Sequence, residues 1–325
     1  MSEATVTVGQ EVEKPRRNPW LGFLIRLVRE KPLGTVGAVI VLALLITGIF
    51  ANLLAPYGFN QSDLYARLAG PSAAHPLGAD QLGRDLLSRI IYGARISMII
   101  GLGATTLNVV VGAIIGIVSG YIGGKFDLIL QRFVDAVNCI PALILYLTVM
   151  AVTGPGIVNL ILVMGISGGI HSSRMKRSAV LAVKQNIYVD ASKAIGAPPW
   201  WIMFRHILPN IVMILIVSFS TGIGGVILQE ATLSFLGFGV PPPYPSWGGM
   251  LSGAGRQYMI QAPWMMVWPG VALSLVVYGA NMLGDAVRDL TDPRLRGGLG
   301  RYGASREYLL KKLAKRMAAP KKEAT

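Results

Sequence analysis

Residue types able to bind, pair or donate are concentrated in a few places. A polar run from His75 to Arg95 holds His75, Asp80, Arg84 and Asp85, and a second stretch, 230–263, holds Pro241 to Pro243 and Trp247. A basic connection over 172–206 carries Arg174, Lys176, Arg177, Lys184, Lys193 and Arg205 around Asp190. None of these forms a catalytic set. There is no G-x-x-x-x-G-K-S/T loop to cradle a phosphate, no His/Cys metal spacing, and no nucleophile beside its base. The single cysteine, Cys139, lies in an apolar segment and reads as a packing residue. Structural roles weigh most for the individual outer residues: Asp80 as a helix cap, Arg84 with Asp85 as a local pair, Trp247 as an interfacial anchor.

The elements that position these residues belong to a membrane protein. Of 325 residues, 53% are hydrophobic and 14% charged, too apolar for an ordinary water-soluble chain. The formal charge of +14 sits in short clusters beside long apolar runs, without a nucleic-acid-binding motif, so topology accounts for it better than RNA or DNA. A hydrocarbon core about 30 Å thick needs roughly 20 apolar residues of helix. On that rule six spans are expected: 33–55, 96–121, 128–152, 156–170, 207–229 and 264–283. Pro141 should kink the third. Their richness in Gly, Ser, Thr and Ala suits close helix packing in lipid. Before the first span, Leu21, Phe23, Leu24, Leu27 and Val28 alternate with Arg26, Arg29 and Lys31 as in a helix lying on the membrane surface. The first apolar run is longer than a cleavable signal core and is expected to stay as an anchor.

Lys and Arg favour the cytoplasmic side. They crowd 16–31, the connection after the fourth span, and everything from Arg288 onward, whereas the two connections assigned outside hold only Arg67, Arg84, Arg89, Arg95 and Arg256. Both termini are therefore expected inside, with loops 56–95 and 230–263 outside. The domain reading is a cytoplasmic tail with interfacial helix (1–32), a transmembrane domain (33–290, core about 92–287) and a cytoplasmic tail (291–325). Within the spans Arg132, Asp135, Glu230 and Asp285 lie toward the ends, which argues against an ion-driven relay needing ionisable groups at the midplane. Asp135 reads as a local partner of Arg132.

The basic connection reads as helix, break, helix. Arg174 to Ile195 is a helical stretch, Gly196 permits a sharp turn, and Pro198-Pro199 open a second short helix. Its Tyr188-Val-Asp-Ala-Ser-Lys-Ala-Ile-Gly196, followed by Ile207-Leu208-Pro209, resembles the loop signature of bacterial binding-protein-dependent importer permeases, with Asp190 and Ser192 standing where Glu and Ala are usual. His75-Pro-Leu-Gly-Ala-Asp-Gln-Leu-Gly-Arg-Asp85, Tyr92-Gly-Ala-Arg95, Leu233-Ser-Phe-Leu-Gly237, Pro245-Ser-Trp-Gly248 and the ending Gly284-Asp285 to Arg296 are similar to the dipeptide and oligopeptide permease family.

The resemblance implies an all-α bundle of the type I (MetI-like) importer class, about six transmembrane helices with a cytoplasmic coupling helix, in a bacterial inner membrane. It implies a non-catalytic subunit without cofactor of its own, ATP and Mg being bound by partners. Those partners would be a second homologous permease, two ATPase subunits and an extracytoplasmic binding protein delivering di- or oligopeptides. Asp190, Ala191, Ser192, Gly196, Leu208 and Pro209 would couple to the ATPases. His75, Asp80, Arg84, Asp85 and Trp247 would shape the external mouth. A secondary transporter or channel remains the rival class, and nickel, glutathione or sugars the rival cargoes.

Overall fold

The computed structural model describes residues 19–291, so the expected tails 1–18 and 292–325 lie outside it. Among the described residues the chain is helical, with only isolated bridges at Ser62–Arg84 and Ala79–Asp85. In order come α1 (Pro19–Glu30), α2 (Pro32–Ile49), α3 (Ala51–Leu54), α4 (Leu86–Ile122), α5 (Gly124–Asn138), α6 (Ala142–Thr153) and α7 (Ile157–Lys184). Then follow α8 (Ile187–Ala194), α9 (Pro199–Ile202), α10 (Leu208–Phe235), α11 (Trp247–Leu251), α12 (Gly253–Gln257) and α13 (Trp264–Thr291).

Helices α2, α4, α13 and the continuous run from Pro199 to Phe235 are long and apolar enough to cross a bilayer singly, and α5 with α6 makes a fifth crossing if taken as one broken span. The fourth expected span, 156–170, is the apolar first half of α7. At 28 residues α7 is long enough to cross, but His171, Ser172, Ser173 and Arg174 make its second half polar. The outward face of α2 is apolar, with Leu33, Val36, Val39, Leu42, Ile46 and Ile49 all exposed, as a lipid-facing stripe requires.

Several boundaries differ from expectation. Helix α4 starts at Leu86 rather than Ile96 and, at 37 residues, is about 55 Å long. Helix α10 reaches Phe235, so the following loop begins six residues later than 230. The stretch 174–195 is not one helix: α7 ends at Lys184, and Gln185-Asn186 separate it from α8. Pro141 does more than kink. Three residues, Cys139 to Pro141, part α5 from α6, which meet at 84°.

Helices α4 and α7 run against each other. Gly112, Gly116 and Gly120 repeat every fourth residue on α4, and Gly165 and Gly169 answer on α7; a Cβ on any of them would press into the facing helix. The main core gathers Ile96, Ile100 and Ala104 from α4, Tyr146 and Met150 from α6, Leu160 and Met164 from α7, and Val226 and Leu233 from α10. A second cluster joins Leu44 of α2, Ile227 of α10, Val276 of α13 and Trp247. Helix α1 keeps the expected amphipathic form: Leu27 is buried with Ala286 and Leu290 of α13, while Leu21, Leu24 and Val28 stay exposed.

Candidate functional site

The polar residues singled out by the sequence fall at opposite ends of the bundle. At one end, segments 56–85 and 236–263 form a structured lid. Asp85 is the N-cap of α4: its Oδ2 accepts from Ser88 N and Ser88 Oγ, each at 2.7 Å, and its Oδ1 lies 3.0 Å from His75 Nδ1. The cap holds a second chain, because Ser88 Oγ also accepts from Tyr57 N at 3.1 Å. Asp80 Oδ1 accepts from the backbone N–H of Leu82 and Arg84, while Oδ2 accepts from Arg84 Nε at 2.7 Å and sits 3.6 Å from Arg89 Nε. Arg89 also donates to Phe59 O at 3.0 Å. His75, Asp80, Arg84, Asp85 and Arg89 are all buried. Two of the sequence-based pairings are thereby corrected: Asp85, not Asp80, caps the helix, and Arg84 pairs with Asp80, not Asp85.

Trp247 is brought to the same end but not into that network. Fully buried, it donates from Nε1 to Ile90 O at 3.1 Å, and its indole lies where a Cβ on Gly93 would be 2.8 Å away. It is a core residue joining α11 to α4 rather than an interfacial anchor. Trp264 Nε1 likewise donates to Ala79 O at 3.2 Å, closing the lid onto α13. A cavity of about 190 Å³ remains between the two segments, with Asp80, Arg84 and Arg89 on one side and Pro242, Tyr244 and Ser246 on the other.

At the opposite end, α8 and the turn after it project from α7. Gly196 has φ +80° and open space around it, while Gly196 N donates to Lys193 O and Ala197 N to Ser192 O. That pattern is a Schellman stop, whose left-handed residue is normally glycine because a Cβ clashes there. Pro199 then starts α9 at its first turn, and a turn of π-helix, Met203–Ile207, leads into α10. Asp190, Ala191 and Pro209 are exposed, Leu208 is half-buried, and Ser192 is buried. Ser192 Oγ donates to Tyr188 O at 2.8 Å and meets His206 Nε2 at 3.0 Å, so it fixes α8 to the π-turn that leads into α10 instead of offering surface. Exposed Ile187, Ile195, Trp200 and Phe204 surround the projection with apolar area.

Matched against known families, residues 112–297 fit the binding-protein-dependent transport system inner membrane component. The chain belongs to that family. Residues 18–71 also fit the N-terminal transmembrane domain of oligopeptide transport permease C. The permease is 37% identical to the dipeptide transport system permease protein of Alkalihalophilus pseudofirmus, across 86% of this chain and 91% of that relative. It is 38% identical to a glutathione transport system permease protein of Pectobacterium atrosepticum (87% and 94% covered) and 35% identical to the oligopeptide transport system permease protein of Bacillus subtilis (88% and 93%). In fold it is similar to a chain of the MetNI methionine ABC transporter, crystallised facing inward, with TM-score 0.50 and 19% identity over 63% of this chain and 97% of that one. The permease is thus an all-α, multi-pass membrane protein with the importer-permease fold.

The structure gives several polar residues of the permease surroundings that the sequence did not show. Lys176 appeared to belong to a solvated basic loop but is fully buried on α7. Glu230 is fully buried; its Oε1 accepts from Ser234 Oγ at 2.7 Å, and Oε2 has no partner among the described residues. Asp135 meets Arg174 of α7 as well as Arg132, and Asp127, unnoticed before, pairs with Arg177. Only proximity along the chain was legible for such pairs; the partners across helices carry no local signal.

Proposed function

We propose that this permease forms half of the translocation pathway of an ATP-driven importer for di- or oligopeptides, coupled to separate ATPase subunits through residues 188–209. The observation that carries the reading is α8. It is a short helix held rigidly at its base by Ser192, His206 and the Gly196 stop, with Asp190, Ala191 and an apolar rim left open. A rigid exposed helix of this kind can pass a displacement into α7 and α10 when a partner closes on it. ATP and Mg would bind on those partners, and the chain itself would perform no hydrolysis. Relatives named for dipeptides and oligopeptides support the cargo; a relative named for glutathione makes that tripeptide the first alternative to measure.

The importer would comprise this chain, a homologous second permease, two ATPases and an extracytoplasmic binding protein docked over 56–85 and 236–263. Both termini and α8 would be cytoplasmic, in keeping with the Lys and Arg distribution. Reconstitution with these partners in proteoliposomes tests the reading: ATP-dependent accumulation of a radiolabelled dipeptide is expected, whereas accumulation only down an imposed ion gradient would place the chain among secondary transporters. For orientation, a cysteine at the exposed Ser62 in a Cys139→Ser background should react with an impermeant maleimide in intact cells, and one at Ala318 should not.

A further inference from the structure

The break between α5 and α6 opens a cleft of about 480 Å³ walled by α4, α6, α7 and α10. Irregular backbone at membrane depth is tolerated where it is buried in protein or lines a water-filled cavity, and here Ile140 and Pro141 of the break line the cleft. Its wall contains Asn108, Asn138, His171, Ser172 and Gln229, and no Asp or Glu. Asn138 Oδ1 is engaged by His171 Nδ1 at 3.1 Å, which leaves the Asn138 amide N–H groups available as donors.

Directly behind this wall lies Lys176. It is fully buried, and no carboxylate among the described residues forms an ion pair with it. Its Nζ donates to Ser172 Oγ at 2.7 Å and reaches Asn108 O at 3.5 Å, two residues of the cleft wall, so one of its three donors is left over. The seat is built for it: Gly112 faces the ammonium and Gly116 the Lys176 Cβ, and a Cβ on either glycine would collide with this side chain. Burying a cation without a counter-charge is costly unless an anion completes it.

We propose that the cleft is a carboxylate-binding station, in which the free C-terminus of a peptide accepts from the side-chain amides of Asn138 and Asn108, while Lys176, acting through Ser172, whose hydroxyl donates to Asn108 Oδ1 at 2.9 Å, supplies the compensating positive charge. This inference rests on the peptide-importer reading and adds the part of the substrate recognised inside the membrane. Lys176 is a positioning residue, since Ser172 and Asn108 stand between it and the ligand. The first turn of α6, which has no side-chain cap at Pro141, faces the same cleft and reinforces its preference for negative charge.

The test uses the detergent-purified importer without its binding protein, so that the permease itself does the selecting. Equilibrium binding of radiolabelled trialanine is compared with that of its C-terminal amide. The wild-type complex should favour the free acid by about tenfold, the worth of one charge-assisted hydrogen bond. Lys176→Met should abolish that preference while leaving binding of the amide unchanged, an effect that a merely structural lysine would not produce. Equal binding of acid and amide by wild type, or an unchanged preference in Lys176→Met, overturns the proposal. If Lys176→Met fails to assemble, Ser172→Ala decides: a retained preference overturns the carboxylate site and a lost one supports it. If the complete importer accumulates peptide with ATP in proteoliposomes but the detergent-purified complex prefers neither compound, the carboxylate station alone is lost, whereas no accumulation in proteoliposomes sinks the importer reading with it.

Discussion

The two ends of the bundle use their signature residues in opposite ways. At the lid, His75, Asp80, Arg84, Asp85 and Trp247 are buried and engaged with one another or with backbone, so their chemistry is used up in shaping the lid and setting where α4 begins. At the projection, Asp190 and Ala191 are exposed, Asp190 meeting the exposed Lys193, while Ser192 and Gly196 are committed to local geometry. A recognisable motif therefore has two physical meanings in one chain: a frame that must not change shape, and a surface offered to something else. Substitutions should separate the two by whether abundance or activity falls first.

The largest effect is expected from Asp80→Ala, which leaves Arg84 and Arg89 buried without their carboxylate. Removing one partner of such a group costs about 3–5 kcal/mol. The variant should be scarce in the membrane and melt at lower temperature in detergent; full abundance with selective loss of uptake would instead make Asp80 a substrate residue and dissolve the contrast. Asp85→Ala should follow, losing a helix cap worth about 1 kcal/mol together with the His75 contact.

Gly196→Arg comes next and tests the projection. A side chain at φ +80° costs about 1–2 kcal/mol locally, too little to unfold the bundle but enough to disturb the α8 stop. Membrane abundance should stay normal while ATP-dependent uptake and ATPase co-purification are lost; normal uptake with normal association would reduce α8 to a connector. Trp247→Phe, by contrast, should cost only about 1 kcal/mol through the lost bond to Ile90 O, read as a slightly lower melting temperature with uptake retained.

The smallest change in stability is expected for Asp190→Asn, because the Lys193 pair is exposed and such pairs contribute about 0–1 kcal/mol. Any loss of uptake in that variant, measured per folded permease, reports docking charge rather than folding.

The apolar runs made the helical class and the order of the spans legible, and Gly196 with Pro198-Pro199 made the turn after α8 legible, because those residues act locally. Helix ends were misread where a helix leaves the apolar zone: Leu86 to Arg95 was assigned to the outer connection and Arg174 to Lys184 to a helix separate from the fourth span, yet they continue α4 and α7. Lys176 was misread for the same reason. Its neighbours on the chain are basic and solvated, while its burial comes from Gly112 and Gly116, some sixty residues earlier. The exchange of partners between Asp80 and Asp85 arose because both have an arginine close by in sequence, and only the folded lid decides which is in reach.

The packing of α2 against α13 bears on how the protein is made. Gly37 of α2 nestles against the backbone of Gly279 and Leu283, Gly34 meets Ala286, and Lys31 forms an ion pair with Asp289. The first spanning helix to leave the ribosome thus finds its main partner in the last. During synthesis α2 must wait in the bilayer, or in the care of the insertion machinery, with its glycine face unmatched until residues 264–291 emerge. The bundle closes only once α13 has been made, and a chain cut before residue 264 would carry an open glycine seam along α2.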